Sequence, residues 1–187
     1  AVTLRANYYA EDSMLTYSGL TQAEYERLGA RYNPFANDTF NGERIGWSAT
    51  HEAPFGDASV VTTNVYYARF SRNWWRQSST TTDMQCGTGF TALRLAGESV
   101  DAGSCNSAQG RLRDYSTWGV EPRLNVSYAL AGAAAELTAG ARWHQETQDR
   151  LQVNASTPRG RSGTIAESNL RRTQAASSRC RASARRR

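Results

Sequence analysis

Apolar and polar residues alternate most regularly between Arg113 and Glu146, RDYSTWGVEPRLNVSYALAGAAAELTAGARWHQE. In the first half, Trp118, Val120, Pro122, Leu124, Val126 and Tyr128 share one side. Arg113, Tyr115, Thr117, Gly119, Glu121, Arg123, Asn125 and Ser127 share the other. Small residues around Ala129–Ala133 mark a tight turn. Beyond it Ala135, Leu137, Ala139, Ala141 and Trp143 face one way, and Glu136, Thr138, Gly140, Arg142, His144 and Glu146 the other. A period of two predicts strands whose two sides meet different surroundings. A soluble antiparallel sheet produces the same alternation, but each arm is longer than the five or six residues typical of soluble strands, about the 9–11 that a tilted membrane strand needs. At about 3.3 Å per residue and a tilt of about 40°, Trp118 and Tyr128 stand roughly 25 Å apart, the height of an outer-membrane apolar band.

The same reading extends in both directions. A first strand is expected from Val2 to about Glu11, with Leu4, Ala6 and Tyr8 on one side and Arg5, Asn7 and Tyr9 on the other. A polar connection to about Gly42 contains a short helix, opened by a Thr21/Glu24 capping box and ended at Gly29. A second strand, Glu43 to Ala53, turns at Pro54-Phe55-Gly56-Asp57 into a third, Ser59 to about Arg72. A polar Ser/Thr/Gly-rich stretch from about Asn73 to Leu112 precedes the central hairpin. Another loop, Leu151 to about Ile165, leads to a sixth strand near Glu167. Connections therefore alternate long, short, long, short, long. In an up-and-down sheet this collects every long loop at one end, as in outer-membrane barrels with long extracellular loops and short periplasmic turns. The fold expected is all-β, an antiparallel up-and-down transmembrane β-barrel fragment of about five or six strands.

Composition changes this picture in three places. All 22 basic residues are arginine, giving a formal charge of +5. Seven of them lie after Leu170, where there is no acid; up to that point 15 arginines face 17 acids. The basic balance belongs to the end of the chain, so it does not indicate nucleic-acid binding by the whole. Cys86 and Cys105 flank a Gly/Ser/Ala-rich segment and are candidates for a loop-stapling disulfide in an oxidising compartment, the alternative being two unrelated thiols. No zinc-type spacing and no transmembrane-helix stretch occurs. The chain opens directly in strand-like sequence without a charged-then-apolar signal region, so its start is expected to be a cut within a longer protein.

Several segments together carry a resemblance: NYYAEDSMLTYSGLTQAEYE (Asn7–Glu26), ARYNPFANDTF, FSRNWWRQSS (Phe70–Ser79), GRLRDYSTWGVEPRL (Gly110–Leu124) and GTIAESNLRRTQA (Gly163–Ala175). They resemble the TonB-dependent outer-membrane siderophore receptors, the ferric dicitrate receptors in particular. The resemblance implies a barrel of about 22 strands with a plugged lumen, in the bacterial outer membrane, importing a ferric siderophore. Its implied partners are the TonB complex, engaged through a plug and N-terminal region absent from this chain, and outer-membrane lipid. No nucleic-acid partner and no resident cofactor are implied, the ferric chelate being cargo. Residues 1–175 are then part of a receptor barrel. Residues 176–187, ASSRCRASARRR, read as an Arg-rich tail, either disordered or of the kind a shifted reading frame in GC-rich DNA produces. A fragment of this length is expected to be inactive in transport by itself. A passive porin or adhesin-type barrel, without plug or TonB box, and a soluble secreted β-sheet binding module are the alternatives.

An anionic, hydrated chelate calls for guanidinium forks near the extracellular mouth. The candidates are the inward-facing Arg44, Arg72, Arg113 and His144, with Arg76 from the loop; the bland alternative is that lumen charges pair with one another. Trp74, Trp75 and Phe70 are expected in the interfacial aromatic girdle rather than stacked on a ligand. His51 near a turn reads as an interfacial anchor, and Arg159-Gly160-Arg161 as a solvated loop. No catalytic constellation appears, since His144 and Glu146 merely share a strand face; no enzyme activity is expected.

Overall fold

The computed structural model describes residues 1–77 and 85–185. Six strands pair antiparallel in chain order in one open sheet: β1 (Val2–Ser13), β2 (Thr39–Pro54), β3 (Ser59–Arg76), β4 (Ala108–Leu130), β5 (Ala133–Ala155) and β6 (Thr164–Arg185). Each strand runs past its expected end. Residues 55–58 and the Ala131-Gly132 turn join strands at one end, and the three long connections gather at the other. Ala131 and Gly132 both have positive φ (51° and 77°), the mirror-image turn whose twist suits a two-residue hairpin.

The register keeps the two faces separate across the whole sheet. Leu4, Ala49, Val65, Val120 and Trp143 lie side by side in one row. Ala6, Trp47, Tyr67 and Trp118 form the next row toward the loops, and Val61, Leu124 and Ala139 lie nearer the turns. Among the described residues nothing layers over this face: Leu4 is 75% exposed and Trp47 47%. Buried side chains concentrate instead at the loop end. Trp75, Ala108, Val153 and Ala155 make one small cluster there, and Phe35, Phe90 and Cys105 another.

The expectation of an irregular tail after Ala175 is corrected: β6 continues in register along β5 as far as Arg185. The alternation explains it. Ala176, Ser178, Cys180 and Ala182 continue the apolar side opposite Trp143, Ala141, Ala139 and Leu137, while Ser177, Arg179, Arg181 and Ser183 continue the polar one. Composition suggested a tail, but spacing decides the strand.

The long loops hold each other down. Helix α1 (Gln22–Leu28) opens with the expected box: Thr21 Oγ1 accepts from the Glu24 backbone N–H at 3.1 Å, and Glu24 Oε2 accepts from the Thr21 N–H at 2.7 Å. A second helix, α2 (Gly87–Leu95), was not legible in the Gly- and Thr-rich sequence that forms it. Arg94 from α2 grips the same Glu24 in a fork, Nε to Oε1 at 2.7 Å and Nη2 to Oε2 at 2.9 Å, both side chains buried. Burial pushes the Glu24 carboxyl up, but Arg94 and Thr21 outweigh it and hold it below its ordinary value. The Arg94 guanidinium also lies 4.9 Å over the Phe35 ring, which packs on Phe90, and Cys86 is bridged to Cys105 beside them.

Replacing Arg94 with Met leaves the Glu24 charge buried without its partner, which costs about 3–5 kcal/mol. The expected result is selective proteolytic cleavage within 14–38 and 77–107 while the far-UV signature of the sheet persists; equal cleavage of R94M and the parent chain would contradict it.

Candidate functional site

The polar face at the loop end carries an unusual row. Arg72 lies directly across from Arg113, and Arg113 directly across from Arg150, so three guanidinium-bearing residues come from three adjacent strands. Directly opposed residues stand about 5 Å apart, and like charges so placed repel. Arg113 is buried, its Nη1 donating to the Leu112 and Leu151 carbonyls at 3.2 Å each. The Nε atoms of Arg72 and Arg150 are buried without a hydrogen-bond partner. Among the described residues no carboxylate forms an ion pair with any of the three. Three adjacent cations with buried donors left over make a site whose natural complement is an anion.

Aromatic residues frame the row. Phe70 and Tyr115 stack just below it, centroids 6.2 Å apart, and the Arg72 guanidinium lies 5.9 Å from the Trp74 ring above. Arg76 is the last residue of β3 rather than part of a loop; it sits 4.2 Å over the Tyr17 ring and donates to Gln109 Oε1 at 3.0 Å. Arg44 is on the same face, opposite Phe70, and exposed. The structure thus brings Arg44, Arg72, Arg76 and Arg113 to one end of the polar face and adds Arg150. Continuing the β5 alternation four residues beyond Glu146 finds that residue in the sequence.

His144 is not at the mouth. It lies six positions along β5 from Arg150, about 20 Å away at strand rise. There it joins a network of its own: Tyr66 Oη to His144 Nδ1 at 2.8 Å, Arg142 Nη2 to Tyr66 Oη at 3.1 Å, and Arg142 Nε to Glu121 Oε1 at 2.9 Å. Here lumen-type charges do pair with one another. Gly119 makes the geometry possible, because a Cβ on it would lie 2.6 Å from Tyr66 Cζ and 2.7 Å from the Trp143 carbonyl oxygen.

The expected girdle members are also reassigned. Trp74 shares the polar face with Arg72 and donates its indole N–H to the Leu15 carbonyl at 2.9 Å. Trp75 is buried in the loop-end cluster under the Arg161 guanidinium, and Phe70 lies on the polar face. The aromatic row on the apolar face is Trp47, Tyr67 and Trp118, with Trp143 edge-on to Trp118 at 4.0 Å. Since Trp74 and Trp75 are neighbours in a strand, they necessarily point to opposite faces.

All three long loops meet at Asp38 and Gln77, both fully buried. The Gln77 N–H donates to Asp38 Oδ1 at 2.6 Å, and its side-chain amide to the Ser107 and Pro158 carbonyls at 3.2 Å each. Arg159 Nε and Arg161 Nη2 reach Asn37 Oδ1 and O at 3.0 Å each, so this pair is docked rather than solvated. Burial raises the Asp38 carboxyl to about 7, against the Gln77 N–H and the nearby Arg76, which act to lower it. No sequence pattern marked Asp38 or Gln77.

Together these features define a segment of antiparallel up-and-down β-barrel wall with one apolar face, one Arg-bearing polar face and a loop cap at one end. No family model matches the chain, and no curated protein matches it by sequence. Among solved structures it is similar to the ferric citrate transporter FecA in its unliganded form, with a TM-score of 0.59 at 17% identity. The match covers 95% of this chain and 23% of that one, so the chain spans under a quarter of that protein's length. At this identity the likeness establishes the fold.

Two measurements follow. Gly119→Val should displace the Tyr66 ring and break its contact with His144, seen as loss of the NMR cross-peaks between the two rings. Unchanged cross-peaks in the variant would show the network does not depend on the glycine. For Asp38, the folded carboxyl holds its proton to about 7 while the unfolded one releases it near 3.8. Cap stability should therefore fall as pH rises through that window, by at most about 1.4 kcal/mol per pH unit, and level off above it. Asp38→Asn should flatten that slope in loop hydrogen-exchange measurements from pH 4 to 8; an identical slope in the variant would exclude Asp38 as its source.

Proposed function

We propose that this chain is part of the wall of an outer-membrane receptor barrel, its apolar face against lipid and its polar face lining an aqueous lumen. The receptor takes up an anionic ferric chelate of the ferric citrate kind, driven by the TonB complex acting on a plug contributed by the rest of the protein. The uncovered apolar band, its aromatic row and the collection of long loops at one end support the membrane setting. The named transport activity of the similar FecA structure, and the resemblance of five sequence segments to TonB-dependent receptors, support the receptor reading. The observation that carries the ligand class is the Arg72–Arg113–Arg150 row, with its buried unpartnered Nε atoms and no carboxylate ion-paired to it among the described residues. A passive pore needs no such concentration of unpaired cation at one level.

The test is a titration of the detergent-refolded chain with ferric dicitrate, following quenching of Trp74 emission and using Trp74→Phe to assign the signal. Saturable quenching is expected, weakened about tenfold or more by Arg72→Gln or Arg150→Gln, since a charge-assisted hydrogen bond contributes about 1.5–3 kcal/mol. A neutral ferric hydroxamate should give none. Equal response to both chelates, or no saturation with dicitrate, would overturn the proposal.

A further inference from the structure

Beside the His144 network, the polar face carries three further arginines toward its other end, Arg123, Arg179 and Arg181, which neither that network nor the chelate row uses. An open-sided cavity of about 790 Å³ is bounded there by Arg123, Arg142, Arg179 and Arg181, with Glu121 as the sole acid on its lining. Glu121 is already taken by Arg142 at 2.9 Å. Arg123, Arg179 and Arg181 make no ion pair or hydrogen bond among the described residues.

The register places these cations around a gap. Arg123 on β4 and Arg179 on β6 flank Gly140 on β5, each directly across from it. Two strand spacings set their Cα atoms about 10 Å apart, and the missing side chain between them opens the floor of the cavity to an approaching ligand. Arg181 stands one step further toward the turns, opposite Thr138. Asn64, also on the lining, accepts from Thr50 Oγ1 at 3.1 Å through its Oδ1. Positive charge thus converges on a space of small-ligand size whose one lining acid, Glu121, is already paired with Arg142.

We propose that this cavity is a binding site for a small soluble multivalent oxyanion, a compact molecule with two or more phosphate or carboxylate groups, clamped between Arg123 and Arg179 with Arg181 closing the turn side. Each guanidinium fork takes one anionic group in bidentate fashion. Two groups are needed because the forks approach from opposite sides of Gly140. The site is separate from the row at the loop end: Arg113 and Arg123 are ten positions apart on β4, about 33 Å. It does not depend on the chelate reading, and each can fail alone.

The experiment is isothermal titration of the full chain in zwitterionic detergent with inorganic pyrophosphate, with citrate, and with orthophosphate, carried out in the Arg72→Gln background so that the loop-end row does not contribute. One equivalent of pyrophosphate or citrate should bind at least tenfold more tightly than orthophosphate. Arg179→Gln or Arg123→Gln should lower that affinity tenfold or more, and Arg179→Lys should recover only part of it. Arg31→Gln, which removes one charge from an exposed loop residue, should leave the affinity within twofold. Arg31, Arg123 and Arg179 are exposed, so circular dichroism should show the sheet of the Arg72→Gln background unchanged when each is replaced. Equal affinity for orthophosphate and pyrophosphate, equal losses in Arg31→Gln and Arg179→Gln, or binding only to micelles doped with anionic lipid would each overturn the assignment.

Discussion

Pairing register governs this molecule more than packing does. Along strands of 23 residues such as β4 and β5, a slip of one residue would carry every aliphatic group to the charged side and every arginine to the apolar one. No buried interior resists such a slip in the strand bodies, because the apolar side chains there are uncovered. What resists it is the difference between the two faces themselves, together with the two-residue Ala131-Gly132 turn that fixes β4 against β5. In the membrane setting proposed above the constraint would tighten, since an unpaired amide in hydrocarbon finds no water and the ladder must close strand by strand. Pro122 marks a place where the β4–β5 ladder relaxes: no pairing joins Glu121 and Pro122 to β5, although the strands rejoin at Arg123 and Gly140.

A face that excludes apolar groups does not automatically balance its charges, and this one treats them differently by level. In the middle, Glu121, Arg142, Tyr66 and His144 satisfy one another. At the loop end, Arg72, Arg113 and Arg150 stand side by side with no ion pair to any of them among the described residues. At the turn end, Arg123 and Arg179 stand apart across a glycine. The same residue type does three jobs according to what its cross-strand neighbour is. Arginine suits all three because its fork stays charged, stacks on rings and matches oxyanions in two-point contact.

Strand number, order, turn positions and the alternation of long and short connections were legible from periodicity, because face identity is written into every second residue. The helix at Gln22–Leu28 was legible as well, since its capping box is local. What escaped was set by contacts distant in sequence. Helix α2 is stabilised by Arg94 reaching Glu24, a partner 70 residues away, rather than by a cap of its own. Trp75 reads as a girdle residue until Arg161 is found above it. Arg150 lies beyond the clearest stretch of alternation, which ends at Glu146, and the residues after Ala175 combine the composition of a tail with the spacing of a strand. The junction at Asp38 had no sequence signal, as burial of an acid depends on three loops converging.

Gln77 follows directly on Arg76, the end of β3, and it is also the point to which the first loop, the segment before β4 and the loop after Ala155 are all fastened. The three connections are therefore cross-tied at one strand terminus, and that terminus bears Arg72, Trp74 and Arg76 within five residues. Arg72 and the knot that joins the loops thus sit on one continuous stretch of chain.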